Sequence, residues 1–132
     1  MNASIELHDS TISGVSQDDA AITLLFTPAY IHKSDGRPGM DSGSGWTQDL
    51  RLVIGAGSLT GQLPEFPCDV QDGELVLGTE THPNGIPIPF GADVCPVILR
   101  LVFYPGFEMK VGGESLRLEL IGEPVYVEEF HP

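Results

Sequence analysis

His8, Asp9 and Ser10 stand side by side in "ELHDSTISG", Glu6 to Gly14, and carry between them the three side-chain types of a hydrolytic triad. A working triad is assembled from positions distant in sequence, because each side chain must reach its partner from a different direction. On a continuous strand His8 and Ser10 would share one face and Asp9 would turn to the other. No G-x-S-x-G nucleophile elbow occurs in the chain. Between the apolar anchors Leu7 and Ile12, the aspartate and serine are better suited to bonding nearby backbone N–H groups and holding a bend. The expectation is a turn or bulge, with no catalytic residue in it.

A ligand or metal site is the second chemistry on offer. The histidines are His8, His32, His82 and His131, with no H-x-H or H-E-x-x-H pair among them. His8, Asp9 and His32 converge only if the first two strands pair, since His32 ends the strand that starts near Ala21. That set lacks the spacing of a metal centre, so no metal and no cofactor is expected. "VIGAGSLTG", Val53 to Gly61, has the first two glycines of a dinucleotide fingerprint but Thr60 in the place of the third. The fingerprint works by aiming a helix N-terminus at a pyrophosphate, and Pro64 and Pro67 forbid that helix. These glycines read as a strand bend and a turn. Arg100 interrupts the apolar run Val97 to Tyr104. A half-buried guanidinium there needs an acidic or carbonyl partner; a structural ion pair is favoured over an anion site.

The elements that must position these residues are strands. Ile22, Leu24 and Phe26 share a face, Leu50, Leu52 and Ile54 follow the same period-two rule, and Leu116, Leu118 and Leu120 alternate with Arg117 and Glu119. Val97 to Tyr104 reads as a central strand buried on both faces. Asp72-Gly73, Asn84-Gly85 and Gly112-Gly113 read as turns, the last joining Phe107–Val111 to Ser115–Ile121 as a hairpin. "IPIPF", Ile86 to Phe90, suits a sheet edge, because proline cannot donate to a ladder. "KSDGRPGMDSGSGW", Lys33 to Trp46, is aperiodic and reads as a flexible loop, ending in the only tryptophan. Trp46 is either a packing residue at its root or a binding anchor. No helix is expected. The chain reads as a single all-β domain over residues 1–132, an antiparallel β-sandwich or partly closed barrel of about eight or nine short strands.

Charge narrows the partners. Nineteen acidic residues face six basic ones, a net charge of −13. Such a surface repels phosphate backbones and anionic lipid heads, which disfavours nucleic acid and membranes, and it attracts a basic protein. The acids are spread along the chain and also serve solubility. Met1 to Leu7 has neither the basic nor the apolar part of a secretion signal, so a cytoplasmic location is expected and Asn2-Ala3-Ser4 reads as an accidental glycosylation match. In that compartment Cys68 and Cys95 are expected as reduced thiols.

"LHDSTI", Leu7 to Ile12, and "GEPVYVEEF", Gly122 to Phe130, resemble small uncharacterised bacterial proteins that open on L-H-D-S-x-I and close on a short acidic strand. The opening is also similar to the start of some immunity proteins of polymorphic toxin systems. The resemblance implies a bacterial cytoplasmic origin and assigns no chemistry. The sequence therefore leads to an acidic, non-enzymatic all-β interaction domain that meets a basic protein through the 33–46 segment and nearby strand edges. The alternatives are a small-ligand or metal-assisted site at a barrel mouth, with His8, Asp9, His32 and Trp46 converging, and a homodimer joined edge to edge.

Overall fold

The computed structural model describes residues 1–88 and 96–132; Pro89 and Phe90 of the proline-spaced segment lie outside it, as does Cys95, and with it the pairing with Cys68. The chain is all-β and builds one large antiparallel sheet of eleven strands that is not closed into a barrel. They are β1 (Asn2–Glu6), β2 (Thr11–Gln17), β3 (Ala21–Ser34), β4 (Gly43–Gly55), β5 (Ser58–Gly61), β6 (Cys68–Leu77), β7 (Glu80–Pro83), β8 (Gly85–Ile88), β9 (Val97–Phe103), β10 (Phe107–Gly113) and β11 (Ser115–Phe130).

The sheet has two halves. In the first, β11, β4 and β3 lie side by side, and β1 and β2 follow one another along the far edge of β3, with β8 outside β1. In the second, β6, β9, β10 and β5 run in order, with β7 on the other edge of β6. Among the described residues, Thr11↔Asp69 and Ile12↔Cys68 are the strand pairs that join the halves. Both halves contribute to one core, from Ile22, Leu24, Phe26, Leu50 and Leu52 on one side to Leu75, Leu99, Leu101 and Phe103 on the other. Each of these side chains is fully buried, worth about 1.5–3 kcal/mol apiece relative to exposure.

Several sequence expectations give way here. Asp72-Gly73 is no turn: both residues lie inside β6, opposite Val102 and Leu101. A Cβ on Gly73 would come within 2.6 Å of the Arg100 carbonyl and 3.1 Å of Leu7, so the glycine serves close approach, not chain reversal. Gly112-Gly113 does not make a hairpin. These residues end β10 against Ile98 and Val97, and the chain then crosses to the other half to start β11 opposite Gly55. β9 is central, between β6 and β10, but only one of its faces is buried: Ile98 is 49% exposed. The aperiodic segment is also shorter than 33–46, since β3 extends to Ser34 and β4 begins at Gly43. Backbone pairing overrode the polar composition at both ends, from His32↔Gly45 to Ser34↔Gly43.

Bulges bend the first half at one level. β3 has extra residues between Phe26 and Ala29, and β11 has them between Ile121 and Val125; both interruptions flank Gln48 and Asp49 of β4. Stacked bulges sharpen the local twist. Beyond this bend, Tyr30, His32 and Ser34 face outward, while Ala29 and Ile31 face the core.

Candidate functional site

The turn carrying His8 and Asp9 sits where the chain leaves the edge of β3 at Glu6↔Tyr30 and rejoins it at Ile12↔Phe26. Ser10 fills the gap. Its Oγ donates to the Glu6 carbonyl at 2.6 Å and accepts from the Tyr30 N–H at 3.0 Å, and it is 1% exposed. The Ser10 carbonyl accepts from the Val70 N–H across the junction with β6. The hydroxyl is thus committed to two backbone groups.

His8 and Asp9 are exposed. The His8 Nδ1 lies 2.7 Å from the Gln71 carbonyl, and its backbone N–H donates to Asn84 Oδ1 at 2.8 Å. The carbonyl favours the protonated ring and raises the His8 pKa above 6.5; partial burial opposes this, and Asp9, Glu6 and Asp72 add to it.

His32 has a different partner. Its Nε2 lies 2.6 Å from Glu6 Oε2, a contact fixed by register, because Glu6 and His32 stand on the outer faces of the paired strands β1 and β3. The imidazole makes edge contacts with Tyr30 and Phe130 at 5.1 and 5.0 Å between centroids. Gly39 of the β3–β4 connection comes over the ring. His32 Nδ1 is buried without a hydrogen-bond partner among the described residues, and the Nε2–H is donated to the Glu6 carboxylate. Tyr30 Oη donates to Glu128 Oε1 at 2.7 Å. Burial, then the bond and charge of Glu128, push the Tyr30 pKa far above 10.

The connection above His32 is pinned at several points. Ser34 Oγ donates to the Ser42 carbonyl at 2.7 Å, the Arg37 N–H donates to Asp41 Oδ2 at 2.6 Å, and Asn2 Nδ2 donates to the Gly36 carbonyl at 2.8 Å. Between this connection, β1 and the β7–β8 turn lies a cavity of about 210 Å³ lined by Ser4, Glu6, His32, Met40, Pro83 and Asn84 among others. Ser4, Pro38, Met40, Pro83 and Gly85 also line a larger groove of about 690 Å³ that runs on toward Pro87 and Ile88.

Of the residues singled out from sequence, the structure brings His32 to this cleft and leaves the others elsewhere. Trp46 stands opposite Ile31, the neighbour of His32 that faces the other way. Its Nε1 donates to Ser44 Oγ, its ring meets Tyr126 edge-on, and Lys33 Nζ sits 4.5 Å above it. Arg100 pairs with Glu74 at 3.4 Å on the outer face of β9. Among the described residues no group of three or more His, Cys, Asp or Glu side chains is placed to hold a metal. Cys68 is half-buried, and burial followed by the charge of Asp69 raises its pKa, which keeps the thiol protonated and unreactive near neutrality.

Glu6, Tyr30, Glu128 and the exposed residues of β11 are what sequence reasoning missed. β11 is the last strand in the sheet order, and its free edge has no strand partner among the described residues. Leu120, Val125, Tyr126 and Val127 are 56%, 61%, 48% and 46% exposed on it, among Glu119, Glu123, Glu128 and Glu129. The acidic alternation is legible in the sequence; that this strand ends the sheet is not. Compared with family models, curated proteins and solved structures, the chain matches none.

Proposed function

We propose that this protein is an acidic all-β interaction domain, non-enzymatic, whose partner is a basic protein that adds an extended segment to the free edge of β11. The observation that carries the reading is that edge itself. It combines a long strand, paired on one side with β4 and without a strand partner on the other among the described residues, with exposed apolar side chains and glutamates. An unpaired edge offers backbone hydrogen bonds to an incoming strand. The exposed run Val125-Tyr126-Val127 between Glu123 and Glu128-Glu129 would select a strand that combines apolar and basic side chains, and the net charge of −13 would speed its approach.

Self-association through the same edge is disfavoured. In an antiparallel register centred on Tyr126, Glu123 of one copy faces Glu129 of the other, and a shift by one residue brings Glu128 opposite Glu123. Like charges directly opposite destabilise a pair of strands. The bulges at Ile121/Val125 and Tyr126/Glu128 and Pro124 further discourage flat pairing of two copies. This reading also takes the two halves of the sheet as the layers of a sandwich, which their common core supports, and places the protein in the cytoplasm. A protein partner is also in keeping with the resemblance of "LHDSTI" to immunity proteins.

A synthetic peptide alternating lysine and valine, titrated against the isotopically labelled protein at low and high salt, tests the reading. Binding should shift the β11 amides and weaken steeply with salt. Val125→Lys and Val127→Lys should abolish it while leaving the fold intact, because both positions are exposed. Binding that ignores salt, or that leaves the β11 amides unmoved, removes the basis for the proposal.

A further inference from the structure

The cleft under the β3–β4 connection carries a separate inference, independent of the strand edge. Glu6 is its polar centre. One carboxylate oxygen accepts from His32 Nε2, and no other side chain bonds the carboxylate among the described residues. The His32 ring is wedged between Tyr30 and Phe130 with Nδ1 unpartnered. It therefore holds Glu6 in place through one hydrogen bond to Oε2 and leaves the other carboxylate oxygen without a side-chain partner among the described residues. The Glu6 side chain is 24% exposed, enough to be reached from the cavity it lines.

The cavity around Glu6 has mixed walls, with Ser4 and Asn84 beside Ile5, Met40 and Pro83, and the groove beyond it is mainly apolar. Met40 and Pro83 line both the cavity and the wider groove, and Pro87 and Ile88 line the groove beyond. Arg37, the cation near the rim, has an acid of its own, with its Nε 3.6 Å from Asp41. A carboxylate held by His32 in a small cavity that opens onto a mainly apolar groove is complementary to a cation carried on a short alkyl chain. The alkyl part covers the prolines and the methionine, and the ammonium meets the free oxygen with a charge-assisted hydrogen bond.

We propose that the cleft between Glu6, Met40 and the β7–β8 turn binds an alkylammonium group, with the Glu6 carboxylate as its counter-ion and His32 as the residue that positions Glu6. The group could belong to a free primary amine or to a lysine side chain of a protein. Both present the same chemistry to the site, and they differ in whether the chain beyond the amine must pass out through the groove.

The test titrates the labelled full-length protein with n-butylammonium chloride, with Nα-acetyl-lysinamide and with 1-butanol, following the amides of Ser4–Glu6, Gly39 and Gly85. Saturable shifts confined to these amides are expected with an ammonium compound, and none with the alcohol. Glu6→Gln keeps an acceptor for His32 but removes the charge, and should weaken binding by about tenfold or more. Met40→Trp, at a position 60% exposed, fills the passage without touching the core. It should block binding equally, which keeps the test decisive if Glu6→Gln fails to fold. Binding of both ammonium compounds assigns the site to lysine side chains, and binding of butylammonium alone assigns it to free amines. Shifts spread over the acidic surface, equal affinity for the alcohol, or unchanged affinity in either variant would overturn the proposal.

Discussion

Ser10 is the residue on which the divided edge of β3 depends. Its hydroxyl bonds one carbonyl and one N–H at the point where β1 leaves the edge of β3, at Glu6↔Tyr30. Ser10→Ala removes both bonds at a position that is itself 1% exposed. It should cost about 1–3 kcal/mol, read as a lower denaturant midpoint at unchanged slope. Asp9→Ala, on the same turn but exposed, should stay within about 0.5 kcal/mol of the parent. The contrast separates a bracing role from chemistry. The residue types of "HDS" are those of a triad, but neighbours on an extended chain point in opposite directions, and that alone argues against one. The partner of each side chain is not legible in the sequence: His8 takes Gln71, Ser10 takes Tyr30 and Glu6, and His32 takes Glu6.

At the scale of elements, the outer faces of β3, β4 and β11 are tied together by one clasp. Tyr30 reaches from β3 across Gly45 of β4 to Glu128 of β11. Gly45 is a glycine for this reason, since a Cβ there would collide with Tyr30 Oη. The clasp needs the phenol protonated, because the oxygen donates to a carboxylate. The folded-state pKa is raised, so the native protein holds this proton where the unfolded chain has released it. The stabilisation is therefore complete below about pH 10 and is lost as pH rises beyond it. Denaturant midpoints followed upward through this range should fall more steeply for the parent than for Tyr30→Phe. The strands themselves are largely visible as alternating patterns at Ile22–Phe26, Leu50–Ile54 and Leu116–Leu120. Their ends are not, because Ser34, Gly43 and Gly45 have no strand preference and are held there by pairing alone.

Across the whole molecule, charge is the dominant property. Of the six cations, Arg37, Arg100 and Arg117 are paired with acids of this chain, and the remaining acids repel one another through the surface. Raising salt from low to physiological ionic strength should increase the thermal midpoint by a few degrees, about 1 kcal/mol of relieved repulsion. A midpoint that is flat or falls with salt would show that the acids are already compensated within the fold. Composition and period-two patterning determined by themselves that this chain is an acidic all-β protein built around alternating apolar faces, since both are properties of the residues taken in order. Which strand ends the sheet, which glycines turn the chain and which merely let backbones approach, and which carboxylate meets His32 were decided only by tertiary structure. Those depend on register between segments dozens of residues apart, and a single-residue slip in register would send every side chain of a strand to the opposite face.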